Sequence, residues 1–292
     1  MTHAPQLCLG TVQFGLPYGI TNEAGQVPEV EVSRILNLSA ASGIDLLDTA
    51  QAYGTAETVL GRCWSTDAPR RLISKLPAGA GRQNWEQSLI ASLQRLQASK
   101  LDGFLLHCAS DLLAPDGKVL MDWLEGLRDR GLVERIGVSI YDASELEGLP
   151  LDRLQLVQLP LSVYDQRSIR NGTIGRLIDL GIAVHVRSVL LQGLLLQAPD
   201  HWPAHLSAPF RNHHLQWLEH LHQEGLSPLA GSLGFVRTCE GVEAVLVGVL
   251  SCQELVQVLH SWSQVETAPL EAPQDWAWEN VTDLDPRRWP TR

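Results

Sequence analysis

Ile44-Asp-Leu-Leu-Asp48-Thr-Ala-Gln-Ala-Tyr53-Gly54 is a short apolar run that ends on an acid, with a tyrosine one loop turn further on. Two later runs share this form. Arg71-Leu-Ile-Ser-Lys75 ends on an ammonium, and Leu101-Asp-Gly-Phe-Leu-Leu-His107 ends on an imidazole. Strands buried on both faces of a parallel sheet read as near-continuous apolar runs, because helices cover each face. Five more runs complete the series: LCLG (7–10), ERIGVS (134–139), LQLVQ (154–158), IAVHVR (182–187) and EAVLVG (243–248).

Helical patterns lie between these runs. Pro28 opens 28–42, where Val30, Ile35, Leu36 and Leu38 recur at helical spacing before Gly43. Such a Pro-first, Gly-last arrangement suits a helix. Further patterns occupy 84–98, 119–130 and 168–180, the last two stopped by Gly131 and Gly181. Strand then helix, repeated eight times with no consecutive strands, predicts a closed α/β (β/α)8 TIM barrel. A doubly wound open sheet would want a glycine-rich phosphate loop, and G-x-G-x-x-G is absent. The chain is expected to form one domain over 1–292, with the barrel core at about 7–265. The interval between the seventh and eighth strands is long. It holds a Pro- and His-rich loop (198–210) and extra helices around 211–224 and 228–239. Long insertions of this kind are usually functional. The tail, 266–292, is rich in Pro and Trp (Trp276, Trp278, Trp289) and reads as irregular.

Composition narrows the partners. Net charge is −11 over 292 residues, with acids and bases interspersed. Nucleic acid and anionic membrane both need clustered Lys and Arg, so neither is expected. No run of about 18 apolar residues is present to span a bilayer. Five scattered cysteines without a C-x-x-C pair point away from disulfides and structural zinc. The opening MTHAPQLCLG lacks a basic segment followed by an apolar one, so a cytoplasmic protein is expected. His213, His214, His220 and His222 stand at offsets of 1, 7 and 9, so few share a helix face; no metal site is expected there and the histidines read as solvated helix surface.

In such barrels the reactive groups stand at the C-terminal strand ends. Here those ends carry Asp48, Lys75, His107, Ser139, Gln158 and Arg187. Any one of them alone reads as a boundary residue meeting solvent; six on one rim read as a site. With Tyr53, the first three form a set suited to polarising a carbonyl. A phenol is a weak acid, with a reference pKa of about 10. A neighbouring ammonium lowers that value, a carboxylate holds the ammonium charged, and an imidazole orients the oxygen that takes the proton.

The motifs then become specific. Asp48-Thr-Ala-Gln-Ala-Tyr53-Gly54-Thr-Ala-Glu57-Thr-Val-Leu60-Gly61 resembles the signature of the aldo-keto reductases, as do Leu9-Gly10-Thr11-Val12-Gln13-Phe14-Gly15 and Lys75. Ser92-Leu93-Gln94-Arg95-Leu96, Leu105-Leu106-His107, Ile136-Gly137-Val138-Ser139, Val157-Gln158, Gln192-Gly193-Leu194-Leu195 and Val247-Gly248 follow in order. The resemblance implies an NADP(H)- or NAD(H)-dependent oxidoreductase that reduces an aldehyde or ketone, with Tyr53 as acid, Lys75 and Asp48 tuning it, and His107 orienting the carbonyl. It implies cofactor contacts from Gly10, Thr11, Ser139, Gln158, Arg187, Gln192, Gly193, Gly248 and Ser251. Some relatives act as regulatory binding proteins on the same scaffold, so a cofactor sensor with little turnover is the alternative. A monomer or small homo-oligomer is expected.

Three departures from the family pattern carry expectations of their own. Ile140 stands where relatives often have Asn, and Arg187 where they often have an aromatic ring. The segment 248–260 contains no Lys or Arg, so preference for NADPH over NADH is expected to be weak unless Arg211 or Arg237 reaches in. Ser251 and the following helix terminus remain as weak phosphate holders. Substrate contacts are expected from Tyr18, Cys108 and Trp202, in a pocket walled by loops 16–26, 108–118 and 196–210. Its roominess suits a sugar-like carbonyl.

Overall fold

The structure is a computed structural model that describes residues 4–64, 69–267 and 273–290. Eight parallel strands close in sequence order into a barrel. They are β1 (Gln6–Gly10), β2 (Leu46–Asp48), β3 (Arg71–Leu76), β4 (Leu101–Leu106), β5 (Val133–Ser139), β6 (Leu156–Pro160), β7 (Ala183–Arg187) and β8 (Val242–Gly248). Registers bring the C-terminal ends to one rim: Gly10 pairs with both Asp48 and Gly248, and Ser139 with Gln158. Alternation along each strand divides the apolar residues. Cys8, Leu46, Ile73, Leu105, Leu156, Ala244 and Leu246 fill the barrel, while a larger cluster packs between sheet and helices. At the opposite rim charged groups pair with one another. Arg71 bonds Asp45 at 2.6 Å, and Arg135 bonds Asp102 at 2.5 Å and Glu243 at 2.7 Å.

The helices mostly follow the sequence pattern. They begin with α1 (Glu29–Ala41), α2 (Ala56–Cys63), α3 (Trp85–Leu96) and α4 (Gly117–Asp129). α4 buries Leu120, Met121, Leu124 and Leu127 on one face, as their spacing requires. Two expectations are corrected. The crossover from β5 to β6 holds only 3-10 turns, at Ala143–Leu146 and Leu151–Arg153, so strand–helix alternation lapses once. Pro150, directly before the second turn, has no N–H for a continuing helix. The helix expected at 168–180 is two pieces, α5 (Arg167–Arg170) and α6 (Thr173–Asp179). The Asn171 side chain accepts from Thr173 N (3.0 Å) and Thr173 Oγ1 (2.7 Å), an Asx turn that starts a fresh helix.

The insertion supplies α7 (Ala208–Gln223) and α8 (Pro228–Arg237), and α9 (Cys252–Thr267) follows β8. Ser207 caps α7 by accepting from Phe210 N. The described part of the tail holds short turns and α10 (Val281–Leu284); residues 268–272 and 291–292 of the expected irregular tail lie outside the described residues. Asp283 accepts from Ser207 N (3.0 Å) and Oγ (2.8 Å), which fastens the tail to the start of α7. Trp276 and Trp278 cover that helix. The histidines there are therefore not solvated surface, which corrects the expectation. His213 and His220 stack against Trp276, and His214 is buried, bonded to Tyr164 Oη (2.7 Å) and Gln197 O (2.9 Å). Only the folding back of the tail brings these rings together; His222 stays exposed. Among the described residues no helix is long and apolar enough to cross a membrane.

Candidate active site

Asp48 ends β2 and Lys75 lies in β3, both withdrawn from solvent. Lys75 Nζ donates to Asp48 Oδ1 at 2.6 Å and to Thr49 O at 2.9 Å. On the other side, Gln158 Nε2 donates to Asp48 Oδ2 at 2.8 Å. The carboxylate is thus held from two directions beside the barrel axis. Tyr53 stands on the turn between β2 and α2, with the Lys75 ammonium 5.2 Å from its ring centroid. His107, one residue past β4, meets the Tyr53 ring edge-on, with centroids 5.9 Å apart and planes at 84°.

The Tyr53 turn is fixed by backbone contact with the loop after β1. A Cβ on Gly15 would lie 1.9 Å from Tyr53 O and 2.3 Å from Ala56 N, while Gly54 faces Gly15 O with φ of +57°. Neither glycine has room for a side chain. Gly15→Ala is expected to push the Tyr53 turn away from His107, lowering the unfolding midpoint and reducing turnover together. Unchanged values of both would show that the turn relaxes freely.

Burial raises the Tyr53 pKa above the ordinary tyrosine value; Lys75 pulls it down, Asp48 pushes it up and Arg187 pulls it down. The ammonium acts in the direction expected from sequence, but the net shift is upward, because desolvation outweighs it. Burial opposes the charged form of Lys75, yet Asp48 and Tyr53 overcome this and hold its pKa above the usual lysine value. Burial, then Lys75 and Arg187, lower the His107 pKa to about 4, so the imidazole is neutral near pH 7.

These groups open into a cleft of about 540 Å3, a size common for small-molecule sites. Asp48, Tyr53, His107, Gly10, Thr11, Ser139, Arg187, Gln192, Gly193, Gly248 and Tyr18 line it. Five residues singled out in the sequence do not. Lys75 and Gln158 are fully buried and bonded to Asp48. Ser251 Oγ accepts from Glu254 N at 3.2 Å, and Cys108 Sγ lies 3.2 Å from Ser110 Oγ. Trp202 is a packing residue: its indole donates to Leu194 O (3.0 Å) and its ring stacks on His214 and Phe210. It borders a separate cleft of about 710 Å3 beside the first. Arg211 donates to Trp202 O and Pro203 O, and Arg237 lies over Trp262, so neither lines the main cleft.

Other lining residues were not legible in the sequence. Tyr141 is stacked between two guanidinium groups, those of Arg187 and of Arg287 in the tail, each 3.9 Å from its ring centroid. Arg187 also donates to Ile140 O at 2.8 Å. Asn22 folds the loop after β1 by bonding Tyr18 O and Gly25 O, and Glu254 stands in the wall beyond β8. Tyr141 follows an ordinary strand end, and its partner in the tail has no sequence signal at all. Two buried side-chain amide oxygens among the described residues have no partner within the protein: Oε1 of Gln13, which lines the cleft, and Oε1 of Gln158, the register neighbour of Ser139. An unpaired buried carbonyl beside a cleft fits a ligand that brings an amide donor.

Comparisons with known proteins bear on the family and the fold. The family model described as the Aldo/keto reductase family matches residues 6–270. An aldo-keto reductase from Mycolicibacterium vanbaalenii is 30% identical over 132 residues, which is 43% of this chain and 46% of that protein, so the match spans about half of the relative's length. The fold is similar to that of an aldo-keto reductase from Bacillus halodurans in its holo form, with a TM-score of 0.75 at 20% identity, covering 98% of this chain and 96% of that one. It is also similar to an aldo-keto reductase from Klebsiella pneumoniae in complex with NADPH, with a TM-score of 0.70 at 20% identity over 99% and 93% of the two chains.

Proposed function

This chain belongs to the aldo/keto reductase family, and from that premise we propose that it reduces an aldehyde or ketone to an alcohol with a nicotinamide dinucleotide. The single observation that carries this reading is the buried Lys75–Asp48–Gln158 set beside a Tyr53–His107 pair that faces a cleft. A reduced nicotinamide, when bound, supplies the hydride that no side chain provides. Gly10, Thr11, Ser139, Arg187, Gln192, Gly193 and Gly248 would hold that cofactor, with Gln158 Oε1 as the acceptor for an amide donor. Tyr53 gives its hydroxyl proton to the carbonyl oxygen. Its raised pKa keeps the proton in place at neutral pH until an alkoxide develops. Lys75 stabilises the phenolate left behind, and Asp48 with Gln158 keeps the ammonium aimed and charged. His107, uncharged near pH 7, donates to the same carbonyl oxygen and fixes its approach.

The polar and aromatic cleft edge, with Tyr18 and Tyr141, supports a hydroxylated carbonyl such as a sugar as the substrate class. Oxidation of NADH and NADPH should be followed against a panel of small aldehydes, ketones and aldoses. Steady turnover with hydroxylated members is expected. Tight dinucleotide binding with no turnover across the panel would instead favour a cofactor-sensing role.

A further inference from the structure

We propose that the far end of the cleft rejects a 2′-phosphate and accepts an unmodified ribose, with Glu254 as the specificity-determining residue. This rests on the cleft being a nicotinamide dinucleotide site. Reduction requires the nicotinamide to lie at Tyr53 and His107, so the adenosine half must run towards the opposite wall. That wall is the turn from β8 into α9, where Leu250, Glu254, Gln257 and Val258 line the cleft.

A phosphate there would need free N–H groups or cations; the turn carries no Lys or Arg, and three of its N–H groups are already taken. Leu250 N donates to Glu254 Oε2 at 2.7 Å, Cys252 N to Glu31 Oε1 at 2.7 Å, and Glu254 N to Ser251 Oγ at 3.2 Å. Two carboxylates therefore occupy part of the helix terminus that would otherwise attract an anion, and place negative charge beside it. Those carboxylates also stand against the weak phosphate holding expected of Ser251 and this terminus. Arg34, on α1, is paired with Glu31 at 3.2 Å. The one cation among the cleft-lining residues, Arg187, stands with Tyr141 at the Tyr53 end. A group carrying about −1.5 to −2 charges would face a carboxylate at close range. A ribose hydroxyl would instead donate to Glu254 Oε1, which bonds no described residue.

The test is equilibrium binding of NADH and NADPH by quenching of tryptophan fluorescence, repeated calorimetrically with ADP-ribose and its 2′-phosphate. Wild-type protein is expected to bind NADH at least about tenfold more tightly than NADPH. Glu254→Gln keeps an acceptor for Leu250 N but loses the charge, and should narrow the gap to about threefold by tightening NADPH. Gln257→Arg, on an exposed position of the same wall, should tighten NADPH about tenfold and leave NADH unchanged. Equal or tighter wild-type binding of NADPH, or a gap that neither variant alters, overturns the role of Glu254 while leaving the cleft a dinucleotide site. Binding of neither dinucleotide to folded wild-type protein overturns both.

Discussion

Tyr53→Phe is expected to lower kcat for carbonyl reduction by roughly a hundred- to ten-thousand-fold, while dinucleotide affinity stays within about twofold. The substitution removes one oxygen and leaves the ring that packs edge-on against His107. Lys75 and Asp48 keep their own hydrogen bonds, because Lys75 Nζ is satisfied by Asp48 and Thr49 rather than by the phenol. Only the proton source is lost. His107 is a poor substitute, since its pKa of about 4 leaves it neutral and a much weaker acid near pH 7 than an imidazolium. A fall in affinity matching the fall in kcat would mean that Tyr53 acts by shaping the cleft. Retention of most of the turnover would remove it as the acid altogether.

Asp48→Ala should destabilise the fold by about 3–5 kcal/mol, because it strands a fully buried ammonium without its counter-ion. The same change frees Gln158 Nε2, which now donates to Asp48 Oδ2. Charge rather than packing is the cause, and a double variant distinguishes the two. Asp48→Asn with Lys75→Met removes both charges and keeps an acceptor for Gln158, so most of the lost stability should return while reduction stays suppressed. Chemical unfolding midpoints of the two variants, set against wild type, decide the matter. A loss below about 1 kcal/mol in Asp48→Ala would mean that water reaches Lys75 and that the pair is not sealed.

Some of the site was legible because its signals are local. A strand end announces itself by one polar residue after an apolar run, and Asp48, Lys75 and His107 all stand out in that way. Gly15 and Gly54 lie beside the Tyr53 motif for a reason visible in space, where two backbones touch. Trp202 reads in the sequence as a substrate contact because an aromatic in a loop looks the same whether it meets substrate or, as here, spends its indole on Leu194 O. His213 and His220 of α7 read as solvated for a related reason: the ring that covers them comes from the tail.

The order of the eight strands, the closure they predict and the polar residues on their rim were determined by the chain itself, through apolar runs and their spacing. The direction of the Tyr53 shift, the stacking of Tyr141 between Arg187 and Arg287, and the carboxylates of Glu31 and Glu254 at the start of α9 were decided only by the tertiary structure. The physical reason is that periodicity is a property of neighbours along the chain. Desolvation and hydrogen-bond satisfaction sum over neighbours in space, such as Asp48 with Gln158 or Glu31 with Cys252, which only folding brings together.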